Sequence, residues 1–425
     1  MKDVKVAILG MGTVGGGIYQ LIEKEQKRIE HKEEIHLEVK KTLALNYAVD
    51  VPEEKKAKDI DEIINDPEIT IVAEVMGGQH PSKEFITKAL LAGKTVVSAN
   101  KDMISQNWPD LEAAAKKGGA GFYFEASVGG GIPILRALND SMQANSIDRV
   151  YGIINGTTNY ILTKMDDEGG DFEDVLKEAQ ALGYAEANPE SDVEGYDARY
   201  KLSILASMAF HARVPVEKIY CEGITKITRQ DIKIGRELGY VVKLLAIGKK
   251  SEDGTIEVRV HPTMIPKDHA LASIKGSFNA IFINGSAVGE MMWYGKGAGD
   301  FPTASALVSD MIYSVQAQKP RYATFENTYD ANQAQFDDNW VTKYFIRLMV
   351  QDKPGVLAKI AGIFGRHDVS IESVIQKGAE RDEDVAPLIL VTHKAHEKDL
   401  QKAIKEMKEM EAVISIPSCI RVEEE

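Results

Sequence analysis

The sequence predicts an α/β protein: a parallel sheet wound on both faces at the N-terminus, an α+β domain after it, and a closing block of split βαβ type. Three observations carry this. Short apolar runs alternate with helical patterns over residues 4–125. Beyond about Gly130 the texture changes to mixed helices and strands. From about residue 343 the order reads strand, helix, strand, strand, helix, strand. A chain of 425 residues, at about 150 residues per domain, has room for roughly three domains.

Residues 4–10 form a short apolar run ending in glycine, the mark of a buried strand. Ile18, Leu21, Ile22 and Ile29 then recur at helical spacing among Lys and Glu. A second strand falls near residues 37–45. Residues 69–75 and 95–98 are further apolar runs, separated by a helical stretch around 83–92, and 122–125 adds another. Helical stretches at 171–182 and 196–211 then mix with strands at 149–154 and 256–261. Residues 320–339 hold Asn, Asp, Gln, Tyr and Pro320 with little periodicity and read as a linker. In the last block, strands at 344–350, 369–375 and 385–392 accompany helices after Pro354 and at 400–410. The expected domains are 1–130, 131–319 and 343–425, with 320–342 as the connection. No internal repeat or low-complexity segment is visible.

Composition narrows the function. Apolar residues at 44% and charged residues at 27% exclude disorder and collagen. Lys plus Arg is 51 against 65 for Asp plus Glu, a formal charge of −14. Such a surface repels polyphosphate, and no basic block with interleaved aromatics opposes it, so nucleic acid is not an expected partner. Cys221 and Cys419 make no disulfide framework. The apolar run 4–9 is too short for a signal segment, and no 18 consecutive apolar residues occur. A cytoplasmic protein without a membrane partner is expected.

Gly10-Met11-Gly12-Thr13-Val14-Gly15 is G-x-G-x-x-G between a strand and a helix. The first glycine allows the tight turn, the second lets backbone approach a pyrophosphate, and the third lets helix pack on strand. A Rossmann-type dinucleotide site is expected there. At the end of the second strand the acidic residue that would hold a ribose 2′-hydroxyl is missing. Asn46 stands near that place, with Lys40 and Lys41 just before it. NAD and NADP both stay open, with a lean to NADP through these lysines.

Three further motifs share the chain: Asn155-Gly-Thr157-Thr-Asn159; Glu186 followed by Asp192, Asp197 and Lys201; and Gly295-Lys-Gly297-Ala-Gly299-Asp-Phe-Pro302. With the glycine loop they resemble homoserine dehydrogenase, over about residues 3–318. The resemblance implies interconversion of L-aspartate 4-semialdehyde and L-homoserine with a nicotinamide cofactor, on the route to threonine and methionine. It makes Lys201 the proton donor and Asp197 its partner, and places Lys101 in the active-site region. It assigns Glu186 to the substrate, joined by Asp192, and sets Asn155 and Thr157 beside it. Ser98, Asn100, Lys101 and Gly299 fall along the cofactor path. It also implies a monovalent cation, Na or K, on Glu125 and the carbonyls of Val128, Gly130 and Ile132.

The residues themselves are compatible with these roles. Reducing an aldehyde needs a proton for the developing alkoxide, and an ammonium supplies it while favouring the growing charge. Asp197 and Lys201 stand at i and i+4, hence on one helix face, where a plain surface ion pair is the competing reading. Glu186 and Asp192 flank Asn188-Pro189, so a hydrated loop competes for them. Lys101 follows the strand at 95–98, and parallel sheets place ligands beyond the carboxyl ends of their strands. Asn155 suits a helix cap as well as a site. The glycines at 129–131 are turn glycines on the competing reading, and no Walker lysine follows them. Among the nine histidines there is no H-E-x-x-H, and His393 and His396, three apart, read as solvated, so no transition metal is expected.

Asp352-Lys-Pro-Gly355-Val356-Leu357, with the element order around it, resembles an ACT domain of βαββαβ (ferredoxin-like) form. That implies a small-molecule regulatory module, with threonine the effector expected at Asp352, Gly355, Val356 and Leu357. A module that only pairs subunits is the alternative, and a homodimer or higher homo-oligomer is expected. For the whole chain, a sensor that binds nicotinamide and amino acid without chemistry is the competing class, and a different amino-acid dehydrogenase is a third reading.

Overall fold

The computed structural model describes residues 1–321, 334–376 and 385–424. The chain begins with β1 (Lys2–Met11), α1 (Thr13–Glu33), β2 (Ile35–Tyr47), α2 (Ile60–Ile64), β3 (Ile69–Glu74), α3 (Ser82–Leu91), β4 (Thr95–Ser98), α4 (Lys101–Gly118) and β5 (Phe122–Tyr123). These strands pair in parallel in the order β2-β1-β3-β4-β5. Their inward residues Val6, Ile8, Ile71, Ala73 and Val97 are buried, as a sheet covered on both faces requires. The order reverses between β1 and β3, so a crevice opens at the carboxyl ends of those two strands.

The middle of the chain adds β6 (Ile147–Ile153), α5 (Gly156–Glu168), α6 (Phe172–Ala181), α7 (Glu190–Val193), α8 (Tyr196–Phe210), β7 (Tyr220–Cys221), α9 (Arg229–Glu237), β8 (Tyr240–Lys250), β9 (Ile256–Pro266), β10 (Phe278–Gly285), β11 (Gly289–Lys296) and α10 (Asp300–Gln316). The last stretch holds β12 (Phe336–Asp337), β13 (Val341–Gln351), α11 (Val356–Arg366), β14 (Ile371–Gln376), β15 (Val385–Thr392), β16 (Ala395–His396), α12 (Glu397–Lys408) and β17 (Val413–Val422). Residues 322–333 of the expected linker lie outside the described residues.

Two compact units interleave along the chain. The first comprises Met1–Ile154, Asp197–Ile219 and Phe278–Ala334. Besides the parallel sheet it holds the antiparallel strands β11-β10-β6. Helix α10 lies along α1, and its Ala304, Leu307 and Met311 share one core with Ile18, Ile22 and Ile29. That contact needs Gly17, because a Cβ there would meet the Asp300 carbonyl oxygen at 3.0 Å.

The second unit comprises Asn155–Tyr196, Tyr220–Ser277 and Gln335–Glu425. Its sheet runs β8-β9-β17-β13-β15-β14. Strands β13, β14, β15 and β17 with α11 and α12 make the expected split βαβ block. Tyr344, Ile346, Leu348 and Val350 alternate along β13 and pack with Ile360, Phe364, Leu400 and Ile404. Strand β9 continues to Pro266, beyond the expected end at residue 261. Pro262 disguises the extension in sequence, although it pairs with Leu244 of β8.

Candidate active site

The glycine loop behaves as its spacing requires. Gly10 takes a φ of 93°, in the left-handed region. A Cβ on Gly15 would sit 1.9 Å from the Gly10 carbonyl oxygen, so helix and strand touch there. Gly12 is different: a Cβ on it would meet nothing within 4 Å. The second glycine therefore borders open space at the start of α1, whose first turn carries no acidic residue. An unneutralised helix N-terminus behind an open glycine fits a pyrophosphate. Thr13 and Val14 open the helix. The packing of α10 on α1 brings Gly299, the residue before α10, into the same unit as this loop; its φ is 122°.

Lys40 and Lys41 are committed elsewhere. Lys40 pairs with Asp66 at 2.7 Å and Glu68 at 2.6 Å, and Lys41 with Glu62 at 3.0 Å. A register shift in the β1–β2 ladder, where Val6 faces Val39 and Ala7 faces Lys41, leaves Lys40 unpaired in the ladder. The lean to NADP thus loses the argument drawn from these lysines, whereas Asn46 still stands where an acid would hold a ribose 2′-hydroxyl.

At the carboxyl end of β4, Ser98 donates its hydroxyl proton to Glu74 Oε2 at 2.7 Å and accepts from the Asn100 amide at 3.1 Å. The Asn100 side chain donates to the Gly78 carbonyl at 2.8 Å, and its Oδ1 caps α4 by accepting from Met103 N at 3.2 Å. Glu74 is wholly buried at the end of β3, and burial pushes its carboxyl above the ordinary range against the hydrogen bonds from Ser98, Met76 and Asn100. Sequence reasoning passed over Glu74. The available signal was a single acid near the end of the apolar run 69–75.

Lys101 is the first residue of α4. Its Nζ stands 3.5 Å from Asp197 Oδ1. Asp197, in the first turn of α8, has a side chain only 9% exposed, and its Oδ2 accepts from Lys201 Nζ at 2.6 Å. Lys201 also donates to the Ile154 carbonyl at 2.8 Å. One buried carboxylate therefore sits between two ammonium groups from separate helices. A solvated i,i+4 pair has neither this burial nor the second lysine.

In the second unit Asn155 caps α5, its Oδ1 accepting from Thr158 N at 2.9 Å, while its Nδ2 donates to Asp192 Oδ1 at 2.7 Å. The cap and the bond to Asp192 are made by the same side chain. Thr157 donates to the Tyr184 carbonyl at 2.6 Å, two residues before Glu186. Glu186 is exposed; Asp192, in α7, is half-buried. Asn159 Oδ1 accepts from the buried Lys243 at 3.0 Å.

Glu125 is buried beside Asp310 and Arg136. Its carboxylate accepts from the Leu135 amide at 2.8 Å and the Arg136 amide at 2.6 Å. Burial and, next, the Asp310 charge raise its pKa to about 7. Val128, Gly130 and Ile132 follow in a turn, where the Ile132 carbonyl accepts from Ile134 N at 2.9 Å. Among the described residues, Asp3, His36 and Glu38 form a group with converging ligand atoms, but the Lys5 ammonium pairs with both carboxylates. No helix of the described residues is long and apolar enough to cross a membrane.

In the C-terminal block Asp352 Oδ1 accepts from Gln376 Nε2 at 3.0 Å. Gly355 takes a φ of 87° at the start of α11, Val356 is buried, and Leu357 is exposed.

A dinucleotide crevice in the same unit as a buried carboxylate held between two lysines marks the class of nicotinamide-dependent oxidoreductases, joined here to a βαββαβ block. Comparison with known proteins narrows the class. Residues 10–125 match the model for the NAD-binding domain of homoserine dehydrogenase, 133–312 the homoserine dehydrogenase model itself, and 344–412 the ACT domain. The chain is 41% identical to the homoserine dehydrogenase of Synechocystis sp., across 99% of each chain. The crystal structure of a homoserine dehydrogenase from Thiobacillus denitrificans is 38% identical, covers 100% of this chain and 99% of its own, and superposes with a TM-score of 0.92. A hyperthermophilic archaeal homoserine dehydrogenase in complex with NADPH is 27% identical, with a TM-score of 0.64 over 75% of this chain and 100% of its own. The chain belongs to the homoserine dehydrogenase family.

Proposed function

We propose that Lys201 is the proton donor and acceptor in the interconversion of L-aspartate 4-semialdehyde and L-homoserine. The observation that carries this is the placement of Asp197 between Lys201 and Lys101. When bound, a nicotinamide cofactor would supply the hydride for the aldehyde carbon in the reducing direction. Lys201 gives its proton to the carbonyl oxygen, leaving a primary alcohol, and takes it back in reverse. Asp197 holds the Lys201 ammonium in place, and Lys101 keeps the pair from carrying net negative charge toward the developing alkoxide. Glu186, joined by Asp192 that Asn155 orients, takes the substrate α-ammonium group.

The cofactor is NADP in this reading. Asn46 does not repel a 2′-phosphate as an acid at that place would, and the archaeal relative was solved with NADPH. Glu125 with the carbonyls of Val128, Gly130 and Ile132 would hold Na or K, since each carboxylate oxygen keeps a lone pair beyond its amide bond. A rise in melting temperature with sodium or potassium chloride over choline chloride tests that ion. Threonine binds at Asp352–Leu357; its effect on turnover disappears in Asp352→Ala. The protein works in the cytoplasm as a homo-oligomer, which sedimentation of the full chain tests. For the activity, formation of reduced cofactor is followed with L-homoserine and NADP or NAD. Homoserine-dependent reduction, faster with NADP, is expected. Absence of any signal in a folded, nucleotide-binding protein removes the reading.

A further inference from the structure

The first unit holds a buried polar side chain that the reading above does not use. Asn279, on β10, is 1% exposed, and neither its Nδ2 nor its Oδ1 has a hydrogen-bond partner among the described residues. Folded proteins seldom bury a carboxamide in this way, because the group loses water and gains nothing in exchange. The side chain lies against Gly297, where a Cβ would overlap both Nδ2 and Cγ of Asn279. Gly297 is therefore a glycine because Asn279 stands behind it. Its carbonyl in turn lies so close to Gly130 that a Cβ there would overlap as well. Beyond the end of β11, Gly297 and Ala298 make no main-chain hydrogen bond among the described residues. An amide with both groups unpaired thus sits beside a stretch of backbone whose own groups are unpaired.

That stretch leads to the dinucleotide loop. After Gly299 comes Asp300, whose carbonyl oxygen lies 3.0 Å from where a Cβ on Gly17 would stand, five residues past Gly12. On the other flank Ala280 pairs with Ile153. The same register, continued one step, sets Asn279 opposite Ile154, whose carbonyl accepts from Lys201. All these residues belong to one compact unit. We propose that Asn279 positions the Gly297–Gly299 stretch for the dinucleotide: Nδ2 donates to a main-chain carbonyl and Oδ1 accepts from a main-chain amide of Gly297 or Ala298 when the nucleotide draws the stretch toward the glycine loop. Asn279 touches no reacting atom in this role. The inference rests on the nicotinamide site proposed at Gly10–Gly15 and Gly299. Bonds that form only with nucleotide present add to affinity and leave the stability of the free protein alone.

That asymmetry is the test. The full chain, Asn279→Leu and Asn279→Ala are melted without nucleotide and titrated with NADPH by its fluorescence. Leu nearly keeps the shape of Asn, and Ala covers the case in which Leu does not fit. At least one variant should melt within about 2 °C of the parent, a difference well under that of one lost interaction. The same variant should bind NADPH about tenfold more weakly or worse, as two neutral hydrogen bonds require. With L-homoserine the loss should appear in KM for the cofactor more than in kcat. Binding within about twofold of the parent in both variants overturns the proposal. So does a melting temperature that falls in both by more than about 4 °C, the mark of a purely structural residue. A parent that binds neither NADPH nor NADH removes the nicotinamide reading itself, and the proposal with it.

Discussion

Replacing Lys201 with Met removes an ammonium while nearly keeping its volume. Two hydrogen bonds go with it, to Asp197 Oδ2 at 2.6 Å and to the Ile154 carbonyl at 2.8 Å. If Lys201 moves the proton, turnover should fall by about 10² to 10⁴, the usual contribution of a positioned general acid. At 1.36 kcal/mol per decade this is ~3–5 kcal/mol of barrier. Stability should suffer less. The side chains of Asp197 and Lys201 are 9% and 12% exposed, so the pair is largely buried. A buried pair broken outright costs about 3–5 kcal/mol, but Lys101 at 3.5 Å still partners Asp197. A loss of ~1–3 kcal/mol is expected, chiefly for the orphaned Ile154 carbonyl and the weakened carboxylate contact. The assay pairs homoserine-dependent cofactor reduction with a fluorescence titration of NADPH and urea unfolding. Lys101→Met should do less damage to turnover, because its Nζ is farther from Asp197 and a third exposed. A Lys201→Met enzyme that binds cofactor normally and turns over within about tenfold of the parent refutes the proton-donor role.

Gly12→Ala and Gly15→Ala should separate cofactor binding from folding. The first adds a methyl to open space and should leave the melting temperature unchanged while weakening nucleotide binding at least about tenfold; the second drives a methyl into the Gly10 carbonyl and should destabilise the fold by several kcal/mol. Titration calorimetry and thermal melts distinguish them, and equal effects on both quantities would contradict the loop geometry. Lys243 carries a pH signature, since burial lowers its pKa to about 8. Its unfolded form holds the proton up to about 10.4, so between these values the unfolded state binds more protons and stability rises with pH, by ~3 kcal/mol in all. Urea unfolding at pH 8 and pH 10 should show this rise in the parent, and Lys243→Met should lack it; parallel profiles would deny the burial. Arg421 is 4% exposed and bonds Glu397 at 2.7 Å and Glu222 at 2.7 Å. Arg421→Leu strands those carboxylates and should cost about 3–5 kcal/mol in chemical denaturation; a cost below about 1 kcal/mol would mean the network contributes little.

Much of this molecule was readable before any coordinates, because the signals are local. The glycine loop states its geometry in six residues, and Asp197 and Lys201 lie four apart on one helix face. The alternation Tyr344, Ile346, Leu348, Val350 announces a strand with one buried side. What could not be read is which distant surfaces meet. Periodicity shows that a face is apolar but not what covers it, so nothing local says that α10 settles on α1 through Gly17. Charge partners are equally silent in sequence: Lys40 and Lys41 looked available for a phosphate until Asp66, Glu68 and Glu62 were found beside them. Lys101 reaches Asp197, and Glu74 is sealed beneath Ser98 and Asn100. Neither follows from spacing, because side chains 96 positions apart in the first case, and 24 and 26 apart in the second, are brought together only by packing. The residue types and local elements were thus determined by the sequence. Partners, burial and the interleaving of two units were settled by long-range packing, where the free energy of one residue depends on neighbours its own segment does not contain.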